Sequence, residues 1–145
     1  KLGSKINMLI VTSDYYENVS EGLIKGSTDF IKQQDIIQAG IKINYEIKKA
    51  PGSFEIPYII NKYKNSYDAF LAFGCIIRGE TYHFEVIANE VARKIMDLSI
   101  NINRPIGFGI LTCQNLDQAK KRSANNENNK GAEAANACLN ILLNG

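Results

Sequence analysis

Three stretches of this chain are apolar almost from end to end, and they restrict its fold more than any other feature. Residues 6–12 (INMLIVT), 69–77 (AFLAFGCII) and 105–112 (PIGFGILT) are rich in β-branched residues and lack the polar alternation of a strand with one wet face. They read as strands buried on both faces, the pattern of a parallel sheet covered by helices on each side. Gly107 and Gly109 in the last run mark close backbone approach. A further run, 41–47 (IKINYEI), alternates apolar with polar and reads as an edge strand that Lys48-Lys49 ends. Between the strands, apolar residues recur at helical spacing. Val19, Leu23, Ile24, Phe30, Ile31 and Ile37 lead to Ala39-Gly40, a natural helix end, and Ile59, Ile60 and Tyr63 follow Pro57, which is tolerable only in a first turn. Phe84, Ile87, Val91, Ile95 and Leu98 share one face of a helix from about 82 to 100. A shorter helix at 116–124, a polar break at 123–129 and an Ala-rich helix at 130–143 complete the chain. The order β-α-β-α-β-α-β-α-α predicts an α/β fold, a three-layer α/β/α sandwich around a central four-stranded parallel sheet. With no repeat, low-complexity tract or linker, residues 1–145 are expected to form a single domain.

Composition narrows the function by exclusion. A chain of this length buries roughly 70% of the surface it exposes when unfolded, and so needs neither disulfides nor a structural metal. A net charge of +2, from 17 Lys and Arg against 15 Asp and Glu, gives no basis for binding nucleic acid, because affinity for a polyanion comes from concentrated cationic side chains. The apolar runs fall far short of the ~20 residues that cross a bilayer, and the opening residues lack a secretory h-region. No membrane association is expected. Cys75, Cys113 and Cys138 cannot all pair within one chain and show no metal-ligand spacing, which fits a reduced, cytoplasmic compartment and no metal site.

In open parallel sheets, ligands bind beyond the carboxyl ends of the strands. Unusual residues cluster at those ends here: Asp14-Tyr15-Tyr16, Gly52-Ser53-Phe54-Glu55, the run from Gly74 to His83, and Thr112-Cys113-Gln114-Asn115. Gly79-Glu80-Thr81 opens a helix whose first N–H groups suit an anion. His83, the sole histidine, lies in the first turn and has the chemistry to move protons near neutral pH. A plainer reading has Thr81 as a cap and His83 as a surface residue. Phe54 and Glu55 read either as a wall and an acceptor for a polar heterocycle, or as a staple and a dipole-favoured first-turn acid. Tyr15 either stacks on a planar ring or covers the sheet edge. Arg122 and Lys130 flank the polar break within reach of a phosphate, and Lys130 sits unfavourably at the positive end of a helix unless it has an anionic partner. Dinucleotide and P-loop glycine motifs are absent, as are GxSxG, HExxH and CxxC.

Five segments in order resemble the lumazine synthase family: PGSFEIP at 51–57, GCIIRGETYHFE at 74–85, PIGFGILT at 105–112, the 118–122 helix, and NKGAEAA at 129–135. The resemblance covers nearly the whole chain and implies a flavodoxin-like fold. It also implies an enzyme of riboflavin biosynthesis, a transferase that condenses 5-amino-6-(D-ribitylamino)uracil with 3,4-dihydroxy-2-butanone 4-phosphate. The products would be 6,7-dimethyl-8-ribityllumazine, phosphate and water, with no metal or redox cofactor. By the same resemblance, Tyr15 stacks on the pyrimidine, where many members have Phe or Trp. Ser53, Phe54 and Glu55 bind the ribityl chain, and Cys75, Ile76 and Ile77 present backbone to the pyrimidine edge. Glu80, Thr81 and Arg122 hold the phosphate, His83 transfers protons, Phe108 closes the ring pocket and Lys130 lies near the reacting centre.

The resemblance further implies that Phe108, Arg122 and Lys130 come from a neighbouring subunit, in a homo-oligomer that is a pentamer or an icosahedral shell of twelve pentamers. The short connection at 123–128 is similar to that of the shell-forming members, and riboflavin synthase is a candidate partner. Two other classes remain to be compared: a flavodoxin-like module that holds a ligand without turning it over, and a purely structural shell protein.

Overall fold

The computed structural model describes residues 5–37, 40–79 and 83–144, and the side chains of all of these except 35–37. Its elements follow the expected order. They are β1 (Lys5–Ser13), α1 (Glu17–Ile37), β2 (Lys42–Ala50), a short 3-10 turn (Ser53–Glu55), α2 (Ile56–Lys62), β3 (Ala69–Ile77), α3 (Phe84–Ile102), β4 (Ile106–Cys113), α4 (Leu116–Arg122) and α5 (Lys130–Asn144). All three strand pairings are parallel, and the sheet order is β2-β1-β3-β4.

The continuous apolar runs are explained by what covers them. β3 lies inside the sheet and every one of its nine residues is buried. Leu71, Phe73, Cys75 and Ile77 face one way, packing with Leu23 and Ile31 of α1 and Ala135 and Leu139 of α5. Phe70, Ala72 and Ile76 face the other way, against Ile56 and Ile60 of α2 and Val91 and Ile95 of α3. Each face therefore has its own core. Burying a Leu, Ile or Phe side chain contributes roughly 1.5–3 kcal/mol, so these two layers hold the helices on the sheet. Gly107 confirms the close approach expected of it, since a Cβ there would lie 2.5 Å from the carbonyl oxygen of Ala134 in α5.

Several boundaries shift by one or two residues, α3 for instance beginning at Phe84 with His83 as its cap, and two differences are informative. Lys48 and Lys49 do not end β2, which pairs with β1 through Ser13↔Ala50. An edge strand can carry charged side chains because they reach solvent while the backbone stays in the ladder. Lys48 places its ammonium 4.9 Å from the centre of the Tyr63 ring, and Lys49 pairs with Asp14 at 3.2 Å. The other difference is α4, which stops at Arg122, where Ser123 turns its hydroxyl back to the Ala119 carbonyl at 2.9 Å. No helix among the described residues is long and apolar enough to cross a membrane.

The sheet order decides where a ligand can enter. The chain goes from β1 outward to the edge strand β2, then returns to place β3 on the opposite side of β1. The connections leaving β1 and β3 therefore run to opposite faces of the sheet, and a crevice opens between their carboxyl ends.

Candidate active site

A cavity of about 230 Å³ occupies that crevice. Ser13, Tyr15 and Tyr16 line it from the end of β1, Gly52, Ser53 and Phe54 from the end of β2, and Cys75, Ile76 and Ile77 from the end of β3, with Ile87 from α3. Tyr15, Ser53, Phe54, Cys75, Ile76 and Ile77 were all named from the sequence. Tyr16 and Gly52 stood in the strand-end clusters with no role assigned, and Ser13 and Ile87 were not proposed for the site. Ile87 was legible only as part of the apolar face of α3, and Tyr16 stood beside a residue with a clearer reason to be chosen.

Local chemistry sets each wall. The Ser13 carbonyl accepts a hydrogen bond from the Ser20 hydroxyl, which ties the exit of β1 to α1. Tyr15 then turns outward and is 71% exposed, meeting Tyr16 edge to face with ring centres 4.9 Å apart. It does not cover the sheet edge as a packed side chain would. Phe54 is 61% exposed, so it is no staple for α2 within its own chain. Pro57 stands in the first turn of α2, where its missing N–H costs nothing. Gly74 lies under Ser53, and any Cβ there would strike the serine hydroxyl. That leaves Ser53 buried at the floor of the cavity. Glu55 closes the 3-10 turn with its side chain exposed.

The turn after β3 is braced at both ends. Gly79 takes φ +87°, a left-handed conformation that favours glycine. Arg78 donates its backbone N–H to the Cys113 carbonyl at 2.8 Å, stacks 4.6 Å from the centre of the Phe84 ring and pairs with Glu85. His83 caps α3, exposed, and its carbonyl accepts from the Ile87 N–H at 2.9 Å. Glu80 and Thr81, expected to hold phosphate, lie outside the described residues.

Phe108, Arg122 and Lys130 do not line this cavity. Phe108 is 45% exposed on edge strand β4 and lines a separate groove of about 730 Å³ beside Met96, Ile100 and Ile141, each of them exposed. Arg122 ends α4 half-buried, with Nη1 3.4 Å from the Cys113 sulfur and 3.5 Å from Gln118 Oε1. Gln118 Oε1 is itself fixed by the Gln114 N–H at 2.8 Å. Lys130 has the anionic partner its position requires, Glu133 one turn later at 3.1 Å. Its place at a helix start is thus satisfied locally and needs no external anion.

Cys75 is a wall and not a nucleophile. Burial pushes its thiol up to about 12, helped by the adjacent Cys113 thiol. Since only the thiolate reacts, that rise strongly suppresses its reactivity at pH 8. Iodoacetamide at pH 8 should leave Cys75 unmodified in the folded protein over a time that fully alkylates the urea-unfolded chain. Equal labelling of the two, by peptide mass spectrometry, would contradict this.

Comparison with known proteins agrees with the geometry. The family model for 6,7-dimethyl-8-ribityllumazine synthase matches residues 5–144. A 6,7-dimethyl-8-ribityllumazine synthase of Bartonella henselae is 42% identical over 142 residues, covering 95% of this chain and 87% of the relative. That of Bartonella tribocorum is 39% identical over 145 residues, with 98% and 91% covered. That of Kosmotoga olearia, 36% identical over 141 residues, covers 96% and 88%. With a match over almost all of its length, the chain belongs to the 6,7-dimethyl-8-ribityllumazine synthase family.

Proposed function

We propose that this protein condenses 5-amino-6-(D-ribitylamino)uracil with 3,4-dihydroxy-2-butanone 4-phosphate to form 6,7-dimethyl-8-ribityllumazine, releasing phosphate and water, as a step of riboflavin biosynthesis. The observation that carries the reading is the cavity between β1 and β3, which gathers an exposed aromatic, a buried hydroxyl and strand-end backbone from three separate segments. Such a mixture suits a planar, polar heterocycle with a hydroxylated chain.

In this account Tyr15 stacks on the pyrimidine, Ser53, Phe54 and Glu55 receive the ribityl chain, and the backbone of Cys75, Ile76 and Ile77 reads the ring edge. The uracil amine attacks the butanone carbonyl to give an imine. His83 then moves protons during phosphate elimination and ring closure, while Glu80, Thr81 and Arg122 hold the phosphate. Phe108 closes over the ring and Lys130 lies near the reacting centre. Holding both substrates in register removes much of the entropic barrier of a bimolecular step, so orientation contributes alongside proton transfer.

Phe108 opens into a different groove from Tyr15 and Phe54, which supports a site shared between chains. The account therefore has a neighbouring copy supply Phe108, Arg122 and Lys130, within a single-domain, cytoplasmic subunit of a pentamer. The short connection at 123–128 favours further assembly into an icosahedral shell, for which riboflavin synthase is a candidate partner. Incubating the purified protein with both substrates should produce the absorbance and fluorescence of the lumazine well above the spontaneous rate. A rate equal to the protein-free control would defeat the enzyme reading and favour a binding module or a structural shell.

A further inference from the structure

Asn129 is 3% exposed, although it closes a stretch (SANNENN at 123–129) whose composition reads as a solvated loop. Its side chain is fully used. The two hydrogens of Nδ2 are shared among the carbonyls of Gly22 at 3.0 Å, Ser123 at 3.1 Å and Ala124 at 2.9 Å, and Oδ1 accepts from the Ala132 N–H at 3.0 Å. One amide thus joins the end of α4, the loop, the first turn of α5 and the neighbouring helix α1. The fit is close on every side. A Cβ at Gly26 would collide with the Asn129 amide, one at Gly22 with the Ser123 carbonyl, and one at Gly131 with the Leu23 carbonyl.

The residues on either side of this hub are Arg122, immediately before Ser123, and Lys130, immediately after Asn129. Ser123 is held a second time by its own hydroxyl on the Ala119 carbonyl. The separation and relative direction of Arg122 and Lys130 are therefore set by a buried side chain. We infer that Asn129 is a positioning residue for the phosphate-binding half of the site, acting through the Arg122 backbone and the start of α5. The inference rests on the proposed role of Arg122 in the reaction.

The closest replacements in size and polarity do not reproduce the arrangement. Aspartate would present charge to three carbonyl oxygens. Serine can still accept from the Ala132 N–H as an N-cap, but it is too short to reach Gly22, Ser123 and Ala124 together. Asn129→Ser is thus the informative variant, since it keeps the helix cap and removes the span. Asn129→Ala serves as the second variant, and circular dichroism and particle size are checked for each chain before assay.

Steady-state kinetics then separate positioning from support. Asn129→Ser is expected to raise the KM for the phosphorylated substrate about tenfold, as loss of well-aimed charged hydrogen bonds does, with the KM for the pyrimidine unchanged within about twofold. Adding it to Arg122→Ala should change that KM little further, because both act on one contact. A lowered melting temperature with both KM values unchanged would overturn the inference, as would an equal rise in both or full additivity with Arg122→Ala. If Arg122→Ala alone leaves the KM for the phosphorylated substrate unchanged, the reading of Arg122 falls first and this inference falls with it.

Discussion

Arg122→Ala is expected to raise the KM for 3,4-dihydroxy-2-butanone 4-phosphate by about 10- to 100-fold while changing the KM for the pyrimidine less than about twofold. The magnitude follows from the chemistry of the contact: hydrogen bonds to a charged group contribute about 1.5–3 kcal/mol, and about 1.4 kcal/mol is a factor of ten. The direction follows from geometry. Arg122 stands at the end of α4 with its guanidinium aligned by the Cys113 sulfur and Gln118 Oε1, and Gln118 is anchored to the Gln114 N–H. That arrangement holds the planar fork in one orientation, which matters because two parallel N–H groups match two phosphate oxygens. Arg122→Lys keeps the charge and loses the fork, so it should recover only part of the affinity. Steady-state kinetics with each substrate varied in turn checks the result, and an unchanged KM for the phosphorylated substrate would remove Arg122 from the site.

Much of the fold was legible because burial on two faces leaves a simple mark. β3 has neighbours on both edges and helices above and below, so polar residues have no place in it and the run from Ala69 to Ile77 is apolar throughout. β2 was harder. Lys48 and Lys49 look like the end of a strand, but an edge position lets one lysine lie over Tyr63 while the other pairs with Asp14. Composition does not distinguish a strand that stops from a strand that has reached the rim.

The cavity half of the site was legible for a related reason. Its residues follow strand ends, and strand ends in a parallel sheet share one edge. Asn129 left no such mark, since an asparagine among asparagines reads as solvated polarity. Only the fold shows that Gly26 makes room for its amide, as Gly22 does for Ser123. Lys130 was ambiguous, because its misfit with the helix dipole is answered by Glu133 three residues on. The separation of Phe108 from Tyr15 was also beyond spacing arguments, which show that a residue follows a strand but not which groove it opens into.

That separation gives the second large effect. His83→Ala should lower kcat by about 10²- to 10⁴-fold, the usual contribution of a positioned proton donor and acceptor, while orientation of the two substrates preserves a residual rate. In the proposed assembly His83 acts from one chain and Arg122 from its neighbour. A chain carrying His83→Ala and a chain carrying Arg122→Ala are each impaired at every site they form alone. Assembled together in equal amounts, with the phosphorylated substrate well below its raised KM in the Arg122→Ala protein, they should regain activity. Random neighbours leave about one site in four with both native groups, so the mixture should reach about a quarter of wild-type activity. Activity no greater than the average of the two variants assayed separately would show that each site lies within one chain, contradicting the account at its centre.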